Sequence, residues 1–143
     1  MSRGDRAVKL ENYEFSPWIK WGDLGNHRSL LSKPGVYLLA HFDSEPPPGP
    51  AQPSSAPIAV LSESERPLRE RIKEFERSAT TGKRGHSIGR TYHKIFEWNP
   101  NMLFVSILNF DDGKKTHESI RSDIVGQIVE YHWDRPTFIR KKR

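Results

Sequence analysis

The 143-residue chain contains no cysteine. Disulfides, thiolate zinc sites and cysteine nucleophiles are therefore excluded, and only histidine and carboxylates remain as metal ligands. No apolar run approaches the ~20 residues needed to span a bilayer, and the opening MSRGDRAVKLENYEF has no apolar stretch of signal-peptide type. A soluble, cytoplasmic protein with no membrane partner is expected. Internal repeats, a Walker-type phosphate loop, a dinucleotide fingerprint and a histidine-rich metal motif are also missing from the sequence. The length suits one domain with a real core and is too short for two comfortable ones.

What the chain has in excess is positive charge: 23 Lys and Arg against 18 Asp and Glu, net +5, with a pI near 9.6. The excess is unevenly placed. Residues 66–94 carry nine basic and three acidic side chains and residues 135–143 five basic and none acidic, whereas 35–65 and 95–134 are each net −4. Two phosphate-contacting patches are one reading, each Lys or Arg contact releasing counterions. A solvated helix face plus a disordered basic tail is the other, and for the tail it is the preferred one.

Along the chain, Trp18 and Trp21 are too large to be left exposed without reason and are expected to cover the core. KPGVYLLAHF reads as a strand, since Pro34-Gly35 punctuates its start and an apolar run follows. DSEPPPGPAQPSSAP, with six prolines, is expected to be a mobile loop. IAVL is a second strand in hairpin with the first. Ser64 or Glu65 is expected to cap a helix with Pro67 in its first turn. Leu68, Ile72, Phe75 and Ala79 give that helix one apolar face, with Arg69, Lys73 and Arg77 as a stripe to water and Arg71 at the margin, leaning along the sheet. GKRGHSIG reads as a Gly-rich loop, RTYHKIF as a short helix, NMLFVSILNF as the strongest strand, and residues from about Thr116 to Trp133 as a final helix. The expected fold is a small α+β domain: a three-stranded, mainly antiparallel sheet flanked by helices in the order β-β-α-α-β-α. Residues 1–33 form an N-terminal Trp-bearing segment, 34–135 the domain with a Pro-rich loop at 43–57, and 136–143 a basic tail.

PGVY (Pro34 to Tyr37), LRERIKEF (Leu68 to Phe75) and the Arg77–Tyr92 stretch containing GHSIGRTY, in that order with flanking strands, resemble the GIY-YIG nuclease superfamily. The last stretch is similar to a sub-branch of stand-alone bacterial members and restriction-enzyme relatives. The resemblance covers about residues 33–135. It implies Mg²⁺-dependent cleavage of a DNA phosphodiester: two tyrosines orient and deprotonate water, an arginine stabilises the phosphorane, and a helix glutamate holds the metal. Tyr37 and Arg71 stand at the first tyrosine and the arginine. Val60 stands at the second tyrosine, Ser62 at the following glycine, and Val125 at the metal glutamate, while the later asparagine has no match in DRPTFIRKKR. Glu118 shares Val125's helix face two turns away and is the remaining candidate metal ligand. His86 is a candidate general base, a phosphate contact, or a residue that caps its own loop.

Three readings follow. The preferred one is a nucleic-acid-binding protein, partner DNA, that uses Arg69, Arg71, Lys73, Arg77, Lys83, Arg84 and Arg90. Its hydrolytic site is degenerate, because losing the metal removes several kcal/mol of transition-state stabilisation. The second is an active, divergent endonuclease with Mg as cofactor, Glu118 or Asp123 in a rebuilt metal site and His86 replacing the lost tyrosine. The third is a protein-interaction module or regulatory subunit whose partner surface is the Trp-bearing N-terminus, Trp98 and the Pro-rich loop.

Overall fold

The computed structural model of the chain describes residues 14–53, 56–109, 122, 125–129, 132 and 139–140. Their order is β1 (Ile19–Lys20), a 3-10 helix (Trp21–Asn26), α1 (Arg28–Leu31), β2 (Gly35–His41), β3 (Ile58–Ser64), α2 (Leu68–Thr81), α3 (Ser87–Ile95), β4 (Leu103–Asn109) and β5 (Ile139–Arg140). Residues 122, 125–129 and 132 are helical. The remainder of the expected 116–133 helix, including Glu118 and Asp123, lies outside the described residues.

The class is α+β, and the sheet has five strands in the order β1-β4-β2-β3-β5. The expected three-stranded sheet is its centre, three antiparallel strands of seven residues each. Two edge strands extend it. β1 pairs antiparallel with β4, and β5 pairs parallel with β3 through Val60 and Leu61. The tail thus places Ile139 and Arg140 in the sheet, where a disordered segment was expected. Neither edge strand is visible in the sequence because two residues have no hydrophobic period to read.

β2 is central and buried at every position from Gly35 to Ala40, so both sheet faces must be covered. Tyr37 and Leu39 face α2 and α3, in a cluster with Val60, Leu68, Phe75 and Tyr92. Val36 and Leu38, alternating with them, face the other way into a cluster with Phe15, Leu61 and Ile128. Gly35 is required here, since a Cβ would collide with the Leu108 carbonyl of β4.

The expected apolar face of α2 is the buried one, with Leu68, Ile72, Phe75 and Ala79 all covered. Its start differs from expectation. Ser64 ends β3, its Oγ accepting the Arg66 N–H at 3.0 Å, and Pro67 precedes the helix with no side-chain cap. The Leu68 N–H instead donates to the Lys33 carbonyl at 3.1 Å, a tertiary substitute for a cap. Gly82, with φ +74°, ends α2 in the left-handed conformation.

The N-terminal segment is tied down by Ser16. Its N–H donates to the Ile107 carbonyl at 2.9 Å, its Oγ accepts from the Ile107 N–H at 3.0 Å, and its carbonyl accepts from Ser106 Oγ at 2.6 Å. The Pro-rich loop is anchored to the same segment by a Pro17–Pro50 bridge, an Ala51 N–H to Ser16 carbonyl bond of 3.3 Å, and burial of Ala51. Its prolines rule out regular structure without leaving it detached.

Candidate functional site

Tyr37, Arg71 and His86 come from β2, α2 and the turn before α3, and the fold brings them together. The Tyr37 hydroxyl lies 2.9 Å from His86 Nε2, and the Arg71 charge acts on both groups. The chemistry of His86 follows from its second ring nitrogen. His86 is the N-cap of α3, and the Gly89 N–H donates to its Nδ1 at 3.1 Å. A backbone N–H can only donate, so Nδ1 holds the lone pair and Nε2 carries the proton, which is donated to the Tyr37 oxygen. Ser62, the cross-strand partner of Tyr37 on β3, presents its hydroxyl to the same phenol oxygen and favours its charged form. Ser62, read from the sequence as a lost glycine, is thus part of the network.

Both nitrogens of His86 are committed, leaving no lone pair with which to take a proton from water. Burial lowers its pKa from 6.5 to about 4, and the positive charge of Arg71 pushes the same way, with Glu74 opposing. Burial raises the Tyr37 pKa well above its ordinary value, against the smaller pull of Ser62 and Arg71. With relative exposures of 0 % for Tyr37 and 1 % for His86, neither touches solvent or a phosphate in this conformation. Of the roles considered for His86, capping is the one its hydrogen bonds describe.

A second pair repeats the pattern along the same strand. His41, four residues after Tyr37 and on the same face, places Nε2 2.7 Å from the Tyr92 hydroxyl on α3. Burial lowers the His41 pKa and pushes that of Tyr92 up to about 12. β2 therefore contributes a tyrosine and a histidine, the α3 region a histidine and a tyrosine, and each bonds its opposite number. Phe75 lies between them, its ring centroid 5.4 Å from His86 and 5.5 Å from Tyr92. The GHSIGRTY stretch becomes legible piece by piece. Gly85 sits at φ +137°, His86 caps, and Gly89 lets α3 approach α2, where a Cβ would come within 2.8 Å of the Phe75 carbonyl and Ser78 Cβ. Tyr92 closes the second pair. Ser78 also receives the His86 N–H at 3.0 Å.

Other groups named from sequence are placed as follows. Val60 faces α2 and α3 beside Leu39, and no residue of Ile58–Ser64 is a tyrosine, so no slip of that strand supplies a second phenol. Val125 packs with the cluster on the opposite face of the sheet from Tyr37. A carboxylate there would be separated from Tyr37 by β2 itself. The acid whose charge acts on both Tyr37 and His86 is Glu74, whose carboxylate is taken by Arg71 Nη1 at 2.9 Å and by Arg66 Nη2 at 3.0 and 3.1 Å. The Arg71 bond chiefly holds its pKa below the usual range. Among the described residues no group of three or more His, Asp or Glu is arranged to hold a metal. The residues around Tyr37 do not fit the Mg²⁺ that the resemblance implies.

The cations divide in two. Arg66 and Arg71 are paired, Arg71 with its side chain 26 % exposed. Arg69, Lys73, Arg77, Lys83 and Arg84 are exposed. Arg90 is half-buried, its Nε enclosed without a hydrogen-bond partner among the described residues. Trp21 and Trp98 pack against each other and the core, and the Trp21 indole N–H donates to Glu76 at 2.9 Å. Comparison of the chain with protein-family models, with curated proteins and with solved structures finds no match.

Proposed function

We propose that the chain is a nucleic-acid-binding protein with DNA as its partner, built on a fold similar to that of the GIY-YIG nucleases and carrying a degenerate hydrolytic site. The observation that supports this reading best is the use made of the three acids in residues 66–94. Glu70 pairs with Arg66 at 3.5 Å, Glu74 with Arg66 and Arg71, and Glu76 accepts from Trp21. Arg69, Lys73 and Arg77 recur every four residues on α2, with Lys83 and Arg84 just beyond Gly82. None of these five has an ion pair among the described residues, and together they form a surface whose charge is free for phosphate. The stripe from Arg69 to Arg77 is ~12 Å long at helical rise, a span of three to four nucleotides. The sealed Tyr37–His86 pair supports the loss of hydrolysis.

Titration of a fluorescent duplex at increasing salt tests the reading. Binding should weaken with a log–log slope of about −3 to −5, matching the five cations. Combined reversal of Arg69, Lys73 and Arg77 to Glu should abolish it in a chain that still folds. A flat salt response rejects the reading. Mg²⁺-dependent nicking of plasmid that disappears in Arg71→Ala would replace it with the active nuclease.

A further inference from the structure

Beside the β1–β4 edge, away from the cationic stripe, a groove of about 530 Å³ is lined by Trp18, Phe42 and Phe104, by Asp23, Asp43 and Glu45, by Lys20, and by the prolines at 46–48. The three rings form an edge-to-face ladder, Trp18 to Phe42 at 5.4 Å and Phe42 to Phe104 at 5.5 Å. All three are half-buried, whereas Phe75, Tyr37 and Tyr92 are closed over by helices.

We propose that this groove binds an extended cationic segment of a partner protein, a Lys or Arg side chain resting against the rings among the carboxylates. Charge complementarity argues for that occupant. The whole chain is net +5, yet the groove sets three carboxylates against one lysine. None of the three carboxylates has an ion pair among the described residues. A phosphate-bearing ligand is disfavoured there, and a cation gains both from the carboxylates and from the ring quadrupoles. The proline wall adds to the match. Proline contributes a carbonyl acceptor and no N–H, which suits donor-only Lys and Arg side chains. Its fixed φ also means the wall loses little freedom when occupied. Lys20 is the opposing group and sets the lower limit on selectivity.

The test is fluorescence anisotropy of labelled nona-arginine with the full chain at about 0.15 M salt. Saturable binding is expected despite the like net charge, with nona-glutamate failing to compete for the groove mutated in Trp18→Ala. Trp18→Ala, and separately the Asp43→Asn, Glu45→Gln double variant, should each weaken it about tenfold. Duplex DNA affinity should be unchanged in both variants, which separates this surface from the cationic stripe. Circular dichroism identifies any variant that has unfolded, and Phe104→Leu then serves as the second probe of the rings. Equal affinity in all the variants overturns the proposal. So does competition by tetramethylammonium at the peptide's own concentration, which would mark a small-cation site. A sedimenting dimer that Trp18→Ala dissociates would show the groove filled by a second copy and would overturn it too.

Discussion

Two aromatic regions of this small domain use the same kinds of side chain for opposite ends. Around Phe75, the pairs Tyr37–His86 and Tyr92–His41 lie between β2 and α3, and both hydroxyls and both nitrogens of His86 are answered from within the fold. Around Phe42, the rings stand half open and the carboxylates beside them face water. Chemically capable groups are therefore a poor guide to reactivity when counted by type alone. A histidine whose nitrogens are both committed is a fastener, and a carboxylate with no partner is an opportunity. The closed region holds α3 against β2 at two points, while the open region is where the molecule retains unspent polarity.

The sharpest way to break this comparison is to remove the centre of the closed region. Phe75→Ala should destabilise the protein by about 3–5 kcal/mol in denaturant unfolding. If it does not, the Tyr–His layer is not a structural core. His86→Ala removes a helix cap and orphans the Tyr37 hydroxyl, and should lose about 2–4 kcal/mol. His86→Asn, which can still cap, should lose less, so equal losses would show that the cap is unimportant. The same histidine makes stability depend on acid. In the unfolded chain it protonates near pH 6.5, in the folded protein only near 4. Between those values the unfolded chain holds more protons, so stability is complete above about pH 6.5 and falls by up to about 3 kcal/mol as pH drops to 4. His41 adds in the same direction. Denaturation midpoints across that range should show a flatter profile in His86→Asn, and a profile identical to the parent would remove His86 as the cause. Gly89→Ala, forced against Phe75 and Ser78, should lose about 1–3 kcal/mol. Trp18→Ala, in the open region, removes a half-buried ring that also packs against the cluster of Phe15 and Ile128, and should lose about 1–2 kcal/mol while altering peptide binding. A large stability loss there would show the groove to be part of the core.

Much of this arrangement was open to sequence reading where the signal is local. The period of Leu68, Ile72, Phe75 and Ala79 fixed which side of α2 is buried, and the apolar runs located β2 and β4. Tyr37 and Arg71 were paired through a family pattern, whereas His86 was read within its own loop, and the partners of all three were not foreseen. Ser78 and the His41–Tyr92 pair escaped notice, since no spacing rule relates His41 on β2 to a residue on α3. Ser62 was read only as a lost glycine, and Glu74, one helical turn from Arg71, was within reach of the i, i+3 rule. Arg71 illustrates the difference well. Its position on the margin of α2 followed from 100° per residue, but whether it is free or held was decided by Glu74.

By itself, then, the sequence determined what short-range physics controls: the absence of thiol chemistry, the concentration of charge in residues 66–94, the faces of the helix and strands, and the turn glycines. Only the tertiary structure decided which of those groups remain available. Sealing β2 beneath α2 and α3 aimed the His86 Nε2–H at Tyr37 and withdrew both from water. The β1–β4 edge left Trp18, Phe42 and Phe104 half exposed. Burial and hydrogen-bond partnership are properties of what lies opposite a side chain, and what lies opposite is set by packing across the whole chain.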